Sequence, residues 1–82
     1  MSGIVENKVI IITGAGRGLG ASIAQDLAAN GATVVVGDVN KDGADAVAAS
    51  IRDAGGNALS VAVDVSDRDA VKQMIARTVE AY

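Results

Sequence analysis

KVIIITGAGRGLG, residues 8–20, decides the reading of this chain. Val9-Ile10-Ile11-Ile12 is β-branched and apolar on both faces, so Lys8 to Thr13 reads as a strand buried on both sides. The eight residues Thr13 to Gly20 contain four glycines. Glycine weakens strands and helices alike. Its concentration where a strand gives way to a helical pattern therefore points to a backbone requirement. A helix N-terminus presents unpaired N–H groups and a partial positive charge. Phosphate oxygens bind there when no side chain keeps them away. Gly14 is expected to make the tight turn off the strand, Gly18 to admit a pyrophosphate, and Gly20 to let the first helix pack closely on the sheet. The plain alternative is a tight connection without a ligand.

The same alternation continues outward from this stretch. Thr33 to Gly37 (TVVVG) and Leu59 to Val65 (LSVAVDV) read as further strands. Between them lie stripes of helical period. Leu19, Ile23, Leu27 and Ala28 form the first, which stops at Asn30-Gly31. Ala44, Val47, Ala48 and Ile51 form the second, with Asn40 as N-cap and Gly55-Gly56 as its end. Val71, Met74, Ile75, Thr78 and Val79 form the third, and Ser66 with Asp69 resembles a capping box at its start. The order β-α-β-α-β-α with right-handed crossovers predicts an α/β fold. It is half of a doubly wound parallel sheet with strand order 3-2-1, in a single domain over residues 1–82.

Composition narrows the function. The 82 residues are half apolar and carry a net charge of −3. Cysteine and histidine are absent, which removes disulfides, thiolate metal sites and the commonest neutral-pH base. No metal site is expected. Tyr82 is the one aromatic residue, so stacking platforms for bases are missing. An acidic chain without a basic cluster argues against nucleic acid. Apolar runs are too short for a membrane span, and Met1-Ser2-Gly3-Ile4 lacks a secretory pattern, so the expectation is a cytoplasmic protein.

The glycine spacing narrows the ligand. A Walker loop needs Lys-Ser or Lys-Thr after its last glycine, and Leu19-Gly20-Ala21 supplies neither. G-x-G-x-x-G/A aligns on Gly16, Gly18 and Ala21, and T-G-x-x-x-G-x-G fits Thr13, Gly14, Gly18 and Gly20. Asp38 ends the second strand, where an acidic side chain accepts hydrogen bonds from ribose hydroxyls. Its charge repels a 2′-phosphate and favours NAD over NADP. Arg17 pulls toward NADP, but Asp38 stands where the ribose should lie. A methyltransferase-like adenosine site uses similar features, but the Thr13-Gly14 start with this spacing fits a dehydrogenase better.

Thr13 to Gly20, Asp38 and Asp64-Val65 together resemble the short-chain dehydrogenase/reductase family, over essentially the whole chain. The resemblance implies that Asp64 contacts the adenine amino group and that Val65 lies beside the adenine ring. Asp64 could equally cap the helix that follows it. The cofactor-binding candidates are Gly14, Arg17, Gly18, Leu19, Asp38, Val39, Asp64 and Val65. Members of that family are usually much longer. Their catalysis uses an Asn, a Ser, and a Tyr followed four residues later by a Lys. Tyr82 is the single tyrosine, and Lys8, Lys41 and Lys72 are not so placed. The chain thus resembles the N-terminal, adenosine-binding half of such an NAD-dependent oxidoreductase. No catalytic residue is assigned and no turnover is expected from it alone. A stand-alone dinucleotide-binding module and a ligand-free folding unit are the alternatives. With three strands, strand one forms an open apolar edge, and such edges pair with other chains. A homodimer or higher oligomer through that edge or the exposed helix faces is the expectation.

Overall fold

A computed structural model describes residues 6–16 and 18–82. The elements are β1 (Val9–Thr13), α1 (Gly18–Ala29), β2 (Thr33–Asp38), α2 (Lys41–Asp53), β3 (Asn57–Ala62) and α3 (Arg68–Ala81). The strands form one parallel sheet in the order β1-β2-β3, which is the predicted 3-2-1 read from the other edge. Val9 pairs with Thr33 and Thr33 with Asn57, while Thr13 pairs with Gly37 and Gly37 with Val61. The carboxyl ends of all three strands therefore lie level.

Burial follows position in the sheet. In central β2, Val34 to Gly37 are fully covered, whereas Val9 and Thr13 of edge strand β1 are exposed. Side chains alternate between faces along each strand. Val34 and Val36 join Ile10, Ile12 and Ala58 in a core closed by Ala24 and Ala28 of α1 and by Ala44, Val47, Ala48 and Ile51 of α2. Val35, Val61 and Val63 face the other way and meet Met74 of α3, with Ile11, Leu59, Ala70 and Val71 around them. The α2 stripe is the predicted one. Asn40 caps it as expected, its side chain accepting the Gly43 N–H at 3.1 Å.

Four expectations need correction. β3 begins at Asn57 and ends at Ala62, earlier than the apolar run suggested. It matches β2 residue for residue, and after the Val63 N–H to Asp38 carbonyl bond there is no partner strand left to pair. Asp64 and Val65 thus lie in a loop. In α1, Leu19 is 77% exposed and Ile23 is 43% exposed; of the predicted stripe Leu27 and Ala28 reach the core, and Ala24 joins them. Alanines let the helix lie close. In α3, Met74 and Thr78 are buried, while Ile75 and Val79 point out beside β1. Finally, the α3 cap is Asp67, whose carboxylate accepts the Asp69 and Ala70 N–H groups at 3.0 and 3.2 Å. The Ser66 hydroxyl instead donates to Asp64. Among the described residues no helix is long and apolar enough to cross a membrane.

Candidate functional site

Parallel strands end together, so loops from different parts of the chain converge at their carboxyl ends. There Thr13, Gly14, Asp38, Val39, Val63, Asp64 and Val65 line a groove of about 290 Å³. Five of the sequence candidates, Gly14, Asp38, Val39, Asp64 and Val65, thus share one surface. Gly18 and Leu19 open α1 beside it. Arg17 lies outside the described residues. Two larger hollows lie elsewhere. One, of about 420 Å³, is bounded by Val9, Ile11, Ile75, Thr78, Val79 and Tyr82. The other, of about 350 Å³, lies between the carboxyl ends of α1 and α2. Neither is lined by a charged side chain. The groove at the strand ends holds two carboxylates, and chemistry rather than volume singles it out.

The glycines of the turn do different work. Gly14 and Gly18 have φ of +67° and +61°, which side chains disfavour, yet a Cβ at either would meet nothing within 4 Å. Among the described residues, nothing fills the space on their outer side. A Cβ at Gly20 would overlap the Gly14 carbonyl oxygen and lie 3.1 Å from Ala15 Cα. Close packing at Gly20 is therefore against the entry turn of α1 itself, not against the sheet. The first turn of α1 carries no acidic side chain, so its positive end is not neutralised by the helix's own residues.

Asp38 is half-buried at the last position of β2. Its Oδ2 accepts the Gly16 N–H at 2.9 Å and its Oδ1 the Asn40 N–H at 2.9 Å. These bonds fix the carboxylate between the glycine turn and the start of α2. The bond from Gly16 escaped the sequence reading because it spans 22 positions. The bond from Asn40 is an Asx turn, and the Asp-x-Asn spacing was a usable signal for it.

Asp64 is exposed and accepts both the Ser66 hydroxyl at 2.7 Å and the Ser66 N–H at 2.9 Å. The hydroxyl first, and then the N–H, hold its carboxyl below the usual range, against a small opposing effect of burial. Asp45 is lowered too, by hydrogen bonds from Lys41 and then Ser60, but it ties α2 to β3 away from the groove. The groove therefore offers two carboxylates as acceptors for hydroxyl or amino donors. Beside them lie Val39 and Val65, two exposed apolar side chains. A glycine turn opens a helix at its margin. Acceptors, apolar cover and a helix N-terminus suit the ribose, base and phosphates of a dinucleotide respectively.

Comparison with known proteins gives an independent view. The family model described as short chain dehydrogenase matches residues 8–82. A 2,5-dichloro-2,5-cyclohexadiene-1,4-diol dehydrogenase of Sphingobium indicum is 45% identical over 82 residues, which is 100% of this chain and 33% of the relative. A cis-4-hydroxycyclohexanecarboxylate dehydrogenase of Sinomonas cyclohexanicum is 47% identical over 75 residues, covering 92% and 30% of the two chains. Among solved structures, a short chain dehydrogenase/reductase from Burkholderia phymatum in complex with NAD superposes with a TM-score of 0.92 at 32% identity. That match covers 95% of this chain and 28% of the other. The chain spans about a third of the length of the curated relatives it matches.

Proposed function

Because the chain belongs to the short chain dehydrogenase family, we propose that residues 1–82 are the adenosine- and pyrophosphate-binding half of an NAD-dependent oxidoreductase. The carrying observation is the fixed Asp38 carboxylate, which shares a groove with Gly14, Asp64 and Val65. Asp38 accepts from the adenosine ribose hydroxyls, and its charge disfavours a 2′-phosphate, so NAD is preferred to NADP. Val39 flanks it. Asp64 accepts from the adenine amino group and Val65 covers the ring. Gly14, Gly18 and Leu19 bound the turn that receives the pyrophosphate, and Arg17, which precedes Gly18 in the sequence, is a further candidate for it.

When bound, the cofactor's nicotinamide supplies hydride transfer, in the whole protein between NAD and an alcohol or ketone. The names of the two cyclic-alcohol relatives support that substrate class. Residues 1–82 bind and orient; turnover by them alone is expected to be undetectable. The open β1 edge and the apolar hollow beside α3 favour self-association of the chain as given. A monodisperse monomer in light scattering at working concentration overturns that part.

Calorimetric titration tests the cofactor reading. NAD is expected to bind saturably, on the order of micromolar to millimolar, NADP more weakly, and Asp38→Ala to abolish the NAD heat. Equal binding of the two dinucleotides, or an unaltered Asp38→Ala variant, contradicts the NAD assignment. No heat from either, with a folded chain, favours a bare folding unit.

A further inference from the structure

The geometry points to Gly43, on the first turn of α2, as a positioning residue that sets the Asp38 carboxylate through Gly16, and so governs the choice between NAD and NADP. This rests on the proposed cofactor reading and adds a residue that does not line the groove.

Neither glycine is there for its backbone freedom. Gly16 and Gly43 are absent from the positive-φ positions, which are Asn7, Gly14, Gly18, Gly31 and Gly55 among the described residues. Gly43 sits inside a helix, where alanine is the better residue. What both positions require is the absence of a Cβ. At Gly43 a Cβ would lie 2.8 Å from the Gly16 carbonyl oxygen, a main-chain atom that cannot swing aside. At Gly16 it would lie 2.9 Å from Asp38 Oδ2, 3.0 Å from Asp38 Cγ and 3.1 Å from the Ala44 nitrogen. The entry turn of α1 and the first turn of α2 are thus pressed together, backbone on backbone.

The contact closes a circuit. Gly16 N–H donates to Asp38 Oδ2, and Asn40 N–H donates to Asp38 Oδ1. Asn40 Oδ1 accepts the Gly43 N–H, and the space a Gly43 side chain would need is taken by the Gly16 carbonyl. A methyl group at Gly43 pushes on the Gly16 carbonyl and so displaces the turn that also carries the Gly16 N–H. The Gly16 N–H then moves relative to Oδ2, and the carboxylate shifts from its present orientation with the Asn40 N–H still on Oδ1. A displaced carboxylate loses its aim at the ribose hydroxyls, bonds that a 2′-phosphate does not use, while its charge stays in place. NAD affinity falls and NADP affinity does not fall with it. Simple destabilisation lowers both alike, so the affinity ratio separates the two explanations.

The test uses residues 1–82 with Gly43→Ala, Gly16→Ala and, as a helix control away from the contact, Ala49→Gly. Circular dichroism establishes folding, and calorimetry gives affinities for NAD and NADP. Gly43→Ala is expected to weaken NAD roughly tenfold, the equivalent of one hydrogen bond to a charged group, and to move the NAD-to-NADP ratio toward unity. Gly16→Ala should do the same, and provides the reading if Gly43→Ala does not fold. Ala49→Gly should lower thermal stability and leave the ratio alone. An NMR spectrum should show the Gly16 amide resonance shifted in Gly43→Ala but not in Ala49→Gly. An unchanged ratio in a folded Gly43→Ala or Gly16→Ala variant overturns the inference while leaving the cofactor reading intact. A wild type that binds neither dinucleotide overturns both.

Discussion

On one face of the sheet, α1 and α2 close over Ile10, Ile12, Val34 and Val36 with alanines and a few larger side chains; on the other, α3 alone covers Val35, Val61 and Val63. The first face is covered by two helices, with a hollow only between their carboxyl ends. The second stays open toward β1, where Val9, Ile75, Val79 and Tyr82 remain exposed around an apolar hollow. Small residues account for the first result. Ala24, Ala28, Ala44 and Ala48 bring two helices close enough to cover three strands. They also bring the start of α2 against the glycine turn, which fixes Asp38. The face covered by two helices positions the site, and the face covered by one leaves apolar side chains exposed.

The contrast breaks first at its largest expected effect. Ile51→Ala on the two-helix face should cost about 2–5 kcal/mol, since a 3% exposed side chain leaves a cavity. Ile75→Ala, at 48% exposure beside the open hollow, should change stability by no more than about 0.5 kcal/mol. Urea unfolding of both variants decides it. Equal losses would mean that the hollow is closed in solution.

A smaller effect sharpens the account of α3. Asp67→Ala removes the observed cap and should cost about 0.5–2 kcal/mol, whereas Ser66→Ala should leave the helix intact. The reverse outcome in thermal unfolding restores the capping box that the sequence suggested. Ser66→Ala should act at the groove instead. It removes the hydroxyl that lowers Asp64, so the Asp64 carboxyl should titrate closer to its ordinary value by NMR. The smallest effect is on acid stability. A carboxyl lowered on folding contributes stability above its unfolded pKa and loses it as pH falls through the folded value. Wild type should therefore lose a little stability below the usual carboxylate range, and Ser66→Ala should lose less. Identical acid limbs would show that the Ser66–Asp64 bonds do not persist in solution.

Much of this was legible in the chain. The α2 stripe survived because all four of its apolar positions face one surface and Asn40 marks its start. The positions of Gly14, Asp38 and Asp64 were readable because parallel strands end at one side and their loops must meet there. The α1 and α3 stripes were only half right. Periodicity tells which residues share a side of a helix, but not which of two adjacent sides the neighbours cover. Leu19 and Ile23 outrank alanines in hydrophobicity, yet the alanines take the sheet because they allow the closer approach.

The sequence by itself determined the element order, the parallel sheet, the turn that must be glycine at Gly14 and Gly18, and the acidic residues at the strand ends. These follow from local properties: β-branching, helical period and the cost of positive φ. The tertiary structure decided how far β3 runs, which side of α1 and α3 is buried, and what holds Asp38. Those depend on distances between residues far apart in the chain. The bond from Gly16 to Asp38 and the contact of Gly43 with Gly16 exist only once β1, β2 and α2 have packed, because they are set by close backbone approach rather than by any local preference.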